Sequence, residues 1–335
     1  MLVVQLILVA VMFFPESESE TITTGPLLAD FNTDDVTELR VQDAEGAEIH
    51  LTRNDIGLWV LPEYDDFPAR PEVVSELLDR LGGLQANRLI AQNSSSHNRL
   101  RVGGDAFERE VEINGGDTTL FIGTTAGANA THVRLGGDEN VYLASGLSAF
   151  DANVTLSAWI NSQYFSVPSE NVTALTLENN NGLFEFVKQG EEWVYLGLGE
   201  DETLNPQAFD TLLNQSTAVR MTAPISREED DDFGMDEPRA VVTLTVSEPV
   251  PVETEDADTD TDADAEAEPE MVETTYTLTL GALVEEADFA FKASDKEYFV
   301  RVSANTSNGF VDRDHEGFLI ITEEEAEAGA ASEGE

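Results

Sequence analysis

Histidine is the residue in this chain with the widest range of chemistry, because its imidazole both ligates metals and exchanges protons near neutral pH. The chain has four histidines: His50, His97, His132 and His315. No two of them form an H-x-x-x-H or H-E-x-x-H motif, the spacing that puts two imidazoles on one face of a helix around zinc. Since metal ligation needs convergent ligands, we expect no histidine-based metal site.

Carboxylates far outnumber every other group that could do chemistry. The 335 residues include 67 Asp and Glu against 17 Lys and Arg, which gives a formal net charge of −50. Paired carboxylates can hydrolyse glycosidic bonds, but in so acidic a chain close pairs arise by chance and identify no site. The same charge balance argues against nucleic-acid binding, whose affinity depends on cations that neutralise phosphates.

Aspartates alternate with small residues in the segment 253–270, ETEDADTDTDADAEAEPE. An EF-hand loop beginning at Asp256 would need glycine where Thr261 stands and a bidentate glutamate where Ala267 stands. The sequence therefore favours a disordered acidic insertion over a calcium site. The segment 322–335, TEEEAEAGAASEGE, is interpreted as a disordered acidic tail, because neither segment can bury enough apolar surface to offset its ordering entropy.

Gly-Gly-Asp occurs three times, at 103–105, 115–117 and 136–138. Calcium-binding repeats of this kind need a nonapeptide period, which the three triplets lack. Each triplet lies between extended segments, so the pattern predicts hairpin turns with residues at positive φ.

Three tryptophans, Trp59, Trp159 and Trp193, could stack on sugars if they shared a surface. Two of them, Trp59 and Trp193, precede a valine at matching places in the two halves of the chain. This placement favours packing over a sheet.

Motifs for nucleophilic and nucleotide chemistry are missing from the sequence. It has no cysteine, no G-x-S-x-G elbow, no P-loop and no G-x-G-x-x-G fingerprint. We therefore name no catalytic, cofactor-binding or metal-ligating residues, expect no cofactor, and predict that the protein is not an enzyme.

The elements that would position any site follow the same order in both halves. Each half is predicted to contain short strands, then a helix opened by proline, Pro71 or Pro206, and then longer strands. In the first helix the apolar residues recur with helical spacing; they are Val73, Val74, Leu77, Leu78 and Leu81, with Gly82 and Gly83 as the C-terminal cap. In the second helix Asn205 is the predicted N-cap, and the apolar face comprises Ala208, Phe209, Leu212 and Leu213.

Equivalent residues of the two halves lie 134 to 136 positions apart, as Trp59 and Trp193 or Pro71 and Pro206 show. So constant an offset indicates an internal repeat. The predicted fold class is α+β, with two tandem repeats of a curved antiparallel sheet, each carrying one packed amphipathic helix. The predicted organisation is given by residue numbers: a membrane anchor or signal segment and stalk at 1–22, the first repeat at 23–166, the second at 167–321 with the insertion 253–270, and the tail at 322–335.

Residues 1–14, MLVVQLILVAVMFF, form a nearly continuous apolar run that ends at Pro15. As a helix this run spans about 21 Å, short of the roughly 30 Å hydrocarbon core, and no basic residue precedes it. It is either a signal-peptide core or the end of an uncleaved transmembrane anchor. We favour the anchor, because no small-x-small cleavage site follows. A buried strand or core helix is disfavoured by Pro15 and the alternating Glu and Ser residues after it.

Several segments together resemble the domain-of-unknown-function 4340 family. They are the strand ending in Trp59-Val60, the helix PEVVSELLDRL at 71–81, the strand NRLI at 87–90, and the link LSAWI at 156–160 that leads into VTAL at 172–175. The resemblance implies a bacterial, membrane-anchored, extracytoplasmic protein, often encoded beside gliding-motility-type ABC transporter components. It implies no established biochemical activity.

The sequence thus predicts a structural or interaction protein tethered to the bacterial inner membrane, with most of the chain periplasmic. Its expected partners are the membrane, through the N-terminal segment, and membrane components of an ABC transporter, with no nucleic acid. The alternatives are an envelope polysaccharide hydrolase, which would show a cleft of titratable groups with shifted pKa values, and a solute-binding module, which would show a deep interdomain cleft. A scaffold would show broad, flat faces.

The acidity also predicts a response to salt. The segments 253–270 and 322–335 hold 10 and 6 of the 67 acidic residues, so 51 lie elsewhere, against 17 cations. Sodium chloride shortens the Debye length from ~10 Å at ~0.1 M to ~3 Å at ~1 M, which weakens the self-repulsion of a compact acidic chain. The melting temperature of the chain lacking residues 1–20 should therefore rise with salt over this range. A flat or falling melting temperature would contradict this expectation.

Overall fold

The computed structural model describes residues 25–29, 31–127, 129–249, 271–285 and 287–320. The chain divides into two compact units, Met1–Ile160 and Asn161–Glu335. Each unit is built mainly from an antiparallel sheet with few helices, which confirms the α+β class. The predicted anchor at 1–22, the acidic insertion at 253–270 and the tail at 322–335 lie outside the described residues.

The first unit contains a nine-stranded sheet in the order β4-β3-β2-β1-β8-β9-β10-β11-β5, with β6 and β7 forming a separate hairpin. Its neighbouring strands pair antiparallel throughout the described residues. The strands are β1 Glu38–Gln42, β2 Glu48–Arg53, β3 Trp59–Leu61, β4 Phe67–Pro68, β5 Arg88–Ala91, β6 Val102–Gly103, β7 Ala106–Phe107, β8 Arg109–Ile113, β9 Thr118–Thr125, β10 Ala130–Leu135 and β11 Val141–Ser145. The helices are α1 Pro71–Gly82, α2 His97–Leu100 and α3 Leu156–Trp159.

The second unit contains an eight-stranded sheet in the order β15-β14-β13-β18-β19-β20-β21-β17, with β12 and β16 forming a separate pair. The strands are β12 Gln163–Ser166, β13 Val172–Asn179, β14 Gly182–Gln189, β15 Glu192–Tyr195, β16 Ala218–Arg220, β17 Ala223–Ser226, β18 Ala240–Pro249, β19 Met271–Glu285, β20 Asp288–Ala293 and β21 Phe299–Ser303. The helices are α4 Pro206–Thr217 and α5 Ala304–Val311. β12 pairs with β16, and both strands belong to the second unit, which begins at Asn161.

Buried and more exposed residues alternate along the strands, so that one face of the sheet meets the core. In β1, Leu39 and Val41 are fully buried, whereas Glu38, Arg40 and Gln42 on the opposite face are half-buried. This is the period-2 pattern of a sheet with one face against the core. The buried strand residues and the buried stripe of α1 together supply the apolar core of the first unit.

Both predicted helices are present, with the expected caps. The Asn205 side-chain oxygen accepts hydrogen bonds from the backbone N–H groups of Gln207, at 3.1 Å, and Ala208, at 3.4 Å. At the other helix, Gly83 is the C-cap and its N–H donates to the Asp79 carbonyl at 2.9 Å. Gly83 keeps a right-handed conformation with φ of −81°, so its role at the cap does not depend on positive φ.

The three Gly-Gly-Asp triplets all lie at hairpin turns, as predicted. Positive φ occurs in two of them, at Gly115, Gly116 and Gly137. In the third, a Cβ on Gly103 would lie 2.2 Å from Oδ1 of Asn98, the end of an exposed side chain that can move aside. The prediction of positive φ at all three turns was therefore wrong for the triplet 103–105.

The tryptophans pack in the cores, as predicted. Trp159 is fully buried and its indole N–H donates to the Asn153 carbonyl at 2.8 Å, and Trp59 is 6% exposed. Trp193 is half-buried, with its ring 4.6 Å from that of Phe209.

Across the described ranges, no helix combines the length and apolar character needed to span a bilayer.

Candidate functional site

A cavity of about 430 Å³ lies in the first unit, beneath the arm made of residues 25–29 and 31–36. The start of this arm is fixed by backbone pairing: the Leu27 N–H donates to Leu84 at 2.8 Å, and the Ala86 N–H donates to Gly25 at 3.0 Å. The arm then crosses the ends of β8, β9 and β10, whose residues form the rest of the lining.

The lining is part apolar and part polar. The apolar part includes Leu27, Val36 and Ile113, all less than 10% exposed. The polar part includes two carboxylates, Asp35 and Asp117. Lysine, arginine and histidine are missing from the described lining, so any charge that the cavity presents is negative.

Two asparagines set the shape of the polar part. The Asn32 side-chain amide donates to a carboxylate oxygen of Asp35 at 3.0 Å. The Asn114 side-chain oxygen accepts from the N–H of Thr37 at 2.8 Å, and its amide donates to the Asp35 carbonyl at 3.1 Å. Asn114 therefore ties the arm to the β8–β9 turn, while Asp117, in the same turn, has no side-chain partner among the described residues.

A second constellation, in the second unit, joins a hydroxyl, an imidazole and a carboxylate. The Tyr195 hydroxyl lies 2.9 Å from Nδ1 of His315, and Nε2 of His315 lies 3.0 Å from Oε2 of Glu202. The same carboxylate oxygen accepts from the Gly199 N–H at 2.6 Å. In this geometry Nδ1 can accept from the tyrosine hydroxyl while Nε2 donates to the carboxylate.

The tyrosine of this relay belongs to the aromatic packing of the second unit. Burial and the nearby charge of Glu202 raise the pKa of Tyr195, so its hydroxyl holds its proton more tightly than a free tyrosine does. Tyr195 is 4% exposed and its ring packs against Phe186 and Phe318. The relay therefore fastens the segment around His315 to the end of β15.

A third constellation lies on the solvent face of the first sheet. His50 stands between two carboxylates, with Nε2 3.0 Å from Glu38 and Nδ1 2.9 Å from Glu63. Beside it, Arg40 pairs with Glu48 at 3.1 Å and with Glu112 at 3.8 Å. We call this group of paired side chains on β1, β2 and β8 the polar sheet face.

The other two histidines bind backbone or hydroxyl groups. Nε2 of His97 lies 2.9 Å from the Glu139 carbonyl, and Nδ1 of His132 lies 2.8 Å from the Thr124 carbonyl. The four histidines therefore occupy four separate environments. In the part of the chain that the structure describes, no group of three or more His, Asp or Glu side chains could hold a metal ion.

Part of the chain matches a known protein family. The model of the family "Domain of unknown function (DUF4340)" matches residues 59–238, more than half of the chain. This protein belongs to the DUF4340 family. No curated protein and no solved structure matches it.

The DUF4340 match includes both proline-opened helices and all three tryptophans, which are packing features. The cavity is divided by the match, since Asn114 and Asp117 fall inside it and Asn32 and Asp35 precede it. Sequence reasoning missed the cavity residues. The local signal at Asn32 is an asparagine side chain capping the next turn, and such a signal gives no information on a ligand.

The relay predicts how acid affects stability. The N–H of Gly199 and the His315 side chain lower the pKa of Glu202 from its ordinary 4.5. The ionised carboxylate therefore stabilises the fold at pH values above 4.5. The contribution is lost as the pH falls through the lowered pKa. Glu202→Gln should therefore reduce the loss of unfolding free energy between about pH 5 and about pH 2, measured by urea denaturation. The neighbouring Glu200→Gln is the control, and equal pH profiles for the two variants would contradict the assignment.

Proposed function

We propose that this DUF4340 protein is a membrane-tethered, extracytoplasmic structural or interaction protein, accessory to an ABC-type transport system and without catalytic activity. In this proposal the apolar run at 1–14 holds it to the bacterial inner membrane, and the two units lie in the periplasm. The observation that carries the proposal is the polar sheet face.

Charged side chains on the polar sheet face pair with each other across neighbouring strands. Arg40 on β1 bridges Glu48 on β2 and Glu112 on β8, and Gln42 donates to Glu110. Burial and the neighbouring charge of Glu112 raise the pKa of Glu110, while the Gln42 amide opposes that rise. The face is an ordered array of mutually paired charges, which suits electrostatic recognition of another protein better than it suits a reaction centre.

We further propose that the two units are tandem copies of one ancestral unit. The order β3-β2-β1-β8-β9-β10-β11 in the first sheet corresponds strand for strand to β15-β14-β13-β18-β19-β20-β21 in the second. In both units the proline-opened helix comes after three of these strands along the chain: α1 follows β3, and α4 follows β15. This correspondence supports duplication of one unit. It agrees with the offset of 134 to 136 positions between equivalent residues of the two halves.

Cross-linking in bacterial membranes tests the proposed partner. The full-length chain should fractionate with membranes and cross-link to the membrane component of an ABC transporter. Arg40→Glu breaks the central pairs of the polar sheet face and should reduce the cross-linked yield. Arg99→Glu, at an exposed helical site away from that face, is the matched control.

Three results would contradict the proposal. They are recovery of the full-length chain in the soluble fraction, cross-links to no transporter component, and equal loss of cross-links in the two arginine variants. Because each variant changes the net charge equally, a difference between them reports on the position of the charge.

A solute-binding module is the second candidate function, and the cavity in the first unit favours it. Its volume of about 430 Å³ falls within the ~300–1,000 Å³ typical of small-molecule sites. A polysaccharide hydrolase gains no comparable support, because the tyrosine of the one relay described above is packed among aromatic rings.

A further inference from the structure

We propose that the solvent face of the second sheet is an interface between two copies of this chain. Six threonines on three neighbouring strands define this face, which we call the threonine face: Thr176 on β13, Thr243 and Thr245 on β18, and Thr275, Thr277 and Thr279 on β19. The inference goes beyond the proposed function, and it does not depend on membrane tethering or on a transporter partner.

Strand register places these threonines side by side. Thr243 on the central strand pairs with Thr176 on one side and with Thr277 on the other. Thr245 pairs with Thr275 in the next row of the same face. Directly paired residues of an antiparallel sheet point to the same side of it, so the six side chains form one array.

The array is open to solvent. Residues between the threonines point to the core, where Leu175, Leu244 and Leu278 are at most 1% exposed. None of the six threonines is buried, so no described element covers the face. Within the described ranges, their hydroxyls also have no hydrogen-bond partner.

The threonine face carries no charge, in contrast to the rest of this acidic chain. On the first sheet the solvent side carries the paired charges of Arg40, Glu48 and Glu112. A partner that is recognised by its charge finds nothing complementary on the threonine face. Two copies of a chain with a net charge of −50, in contrast, repel each other least where neutral patches meet.

A second copy also offers matching hydrogen-bonding groups and shape. Each threonine hydroxyl both donates and accepts, so an identical array satisfies it directly or through water. Two sheets pack face to face at a separation of ~10 Å, with the side chains of the facing sides in contact. The threonine methyl groups then supply the apolar part of the contact.

A two-fold axis along β18 keeps the acidic border of the face away from its own copy. Thr243 then faces Thr243 of the second copy, and β13 of each copy lies over β19 of the other, as in an isologous interface. Within one sheet Glu178, Val241 and Thr279 are aligned on β13, β18 and β19, and Lys292 on β20 pairs with Thr279. Glu178 of one copy therefore lies over Thr279 of the other, one strand from Lys292.

The size of the face predicts a weak dimer. Five neighbouring strands at ~4.8 Å spacing and six residues at ~3.3 Å each span roughly 480 Å². A stable complex buries about 800 Å² on each partner. We therefore expect a Kd above about 1 µM, and a dimer that the net charge of −50 weakens further at low salt.

Sedimentation equilibrium of the full-length chain in a nonionic detergent tests this proposal. Between ~5 and ~500 µM the chain should pass from monomer to dimer. Raising sodium chloride from ~0.15 to ~1 M should tighten the dimer by at least about threefold, because salt screens the repulsion between the copies.

A pair of lysine variants separates this face from other causes of association, including the apolar run at 1–14. Thr243→Lys sets two ammonium groups against each other at the axis and should weaken the dimer by at least about tenfold. Thr52→Lys makes the same change at a half-buried threonine on β2 of the first sheet. This control should keep the Kd within about twofold of the parent.

A pair of cysteine variants tests the face without adding charge. The chain has no cysteine, so one introduced thiol reports on one position. Thr243→Cys treated with a short bismaleimide should give a covalent dimer, whereas Thr52→Cys should give at least about tenfold less. The same reaction in bacterial membranes identifies whichever protein lies on the face.

Four results would overturn the proposal. They are a chain that stays monomeric up to ~500 µM, equal weakening by the two lysine variants, equal dimer yields from the two cysteine variants, and capture of a different protein in place of a second copy by Thr243→Cys in membranes. The transporter cross-links involve the polar sheet face of the first unit, so the two proposals can fail separately.

Discussion

Truncation of Leu77 or Leu212 to alanine should lower the free energy of unfolding of its own unit by about 2–5 kcal/mol. Leu77 is 2% exposed on α1, and Leu212 is fully buried on α4. The two leucines hold the same place after Pro71 and Pro206, the first residues of their helices. Because each fills a closely packed core, the loss combines apolar transfer energy with the energy of the cavity left behind.

Exposed positions on the same helices provide the controls. Ser75→Ala and Asp210→Ala remove side chains that face solvent, and each should change the unfolding free energy by less than about 0.5 kcal/mol. Urea denaturation followed by circular dichroism measures all four variants. A small effect at one leucine beside a large effect at the other would contradict the equivalent roles of the two helices.

Local sequence pattern was sufficient for the two proline-opened helices, whereas the shorter helices α2, α3 and α5 were not predicted. Apolar residues at helical spacing after Pro71 predicted a helix over 71–81, and the helix spans Pro71–Gly82. Val73 is the one member of the predicted stripe that stays half-buried. Such segments can be predicted because their periodicity reflects which face meets the core, a property of neighbouring residues alone.

The site residues could not be predicted because they are distant in sequence and meet only through strand register and the packing of later chain segments. Tyr195 and His315 are 120 positions apart, and Thr37 and Asn114 are 77 apart. His50 lacked a metal-binding spacing, yet the β1–β2 register places it opposite Arg40 and within reach of Glu38. A test for charged residues facing each other across the predicted hairpin could have found that pair, whereas the cavity leaves no such local signal.

Phe318→Ala should have the largest effect on the second unit, about 3–5 kcal/mol of unfolding free energy. Phe318 is fully buried, and its ring centroid lies 5.0 Å from that of Phe186 and 5.4 Å from that of Phe184. Its carbonyl also accepts from the Asn205 N–H at 2.8 Å, beside the first turn of α4. Phe318 thus contacts β14 through its ring and the chain entering α4 through its carbonyl.

The control and a second readout distinguish this role from general damage to the chain terminus. Ile320→Ala changes a nearby side chain that is 47% exposed and should cost less than about 1 kcal/mol. Loss of the Phe318 ring should also release His315 from Tyr195, so the acid sensitivity assigned to Glu202 should diminish in Phe318→Ala and persist in Ile320→Ala. Urea denaturation at about pH 7 and about pH 3 measures both effects. If Phe318→Ala loses stability but keeps the full acid sensitivity of the parent, the aromatic packing and the relay act independently, and the proposed coupling between them is wrong.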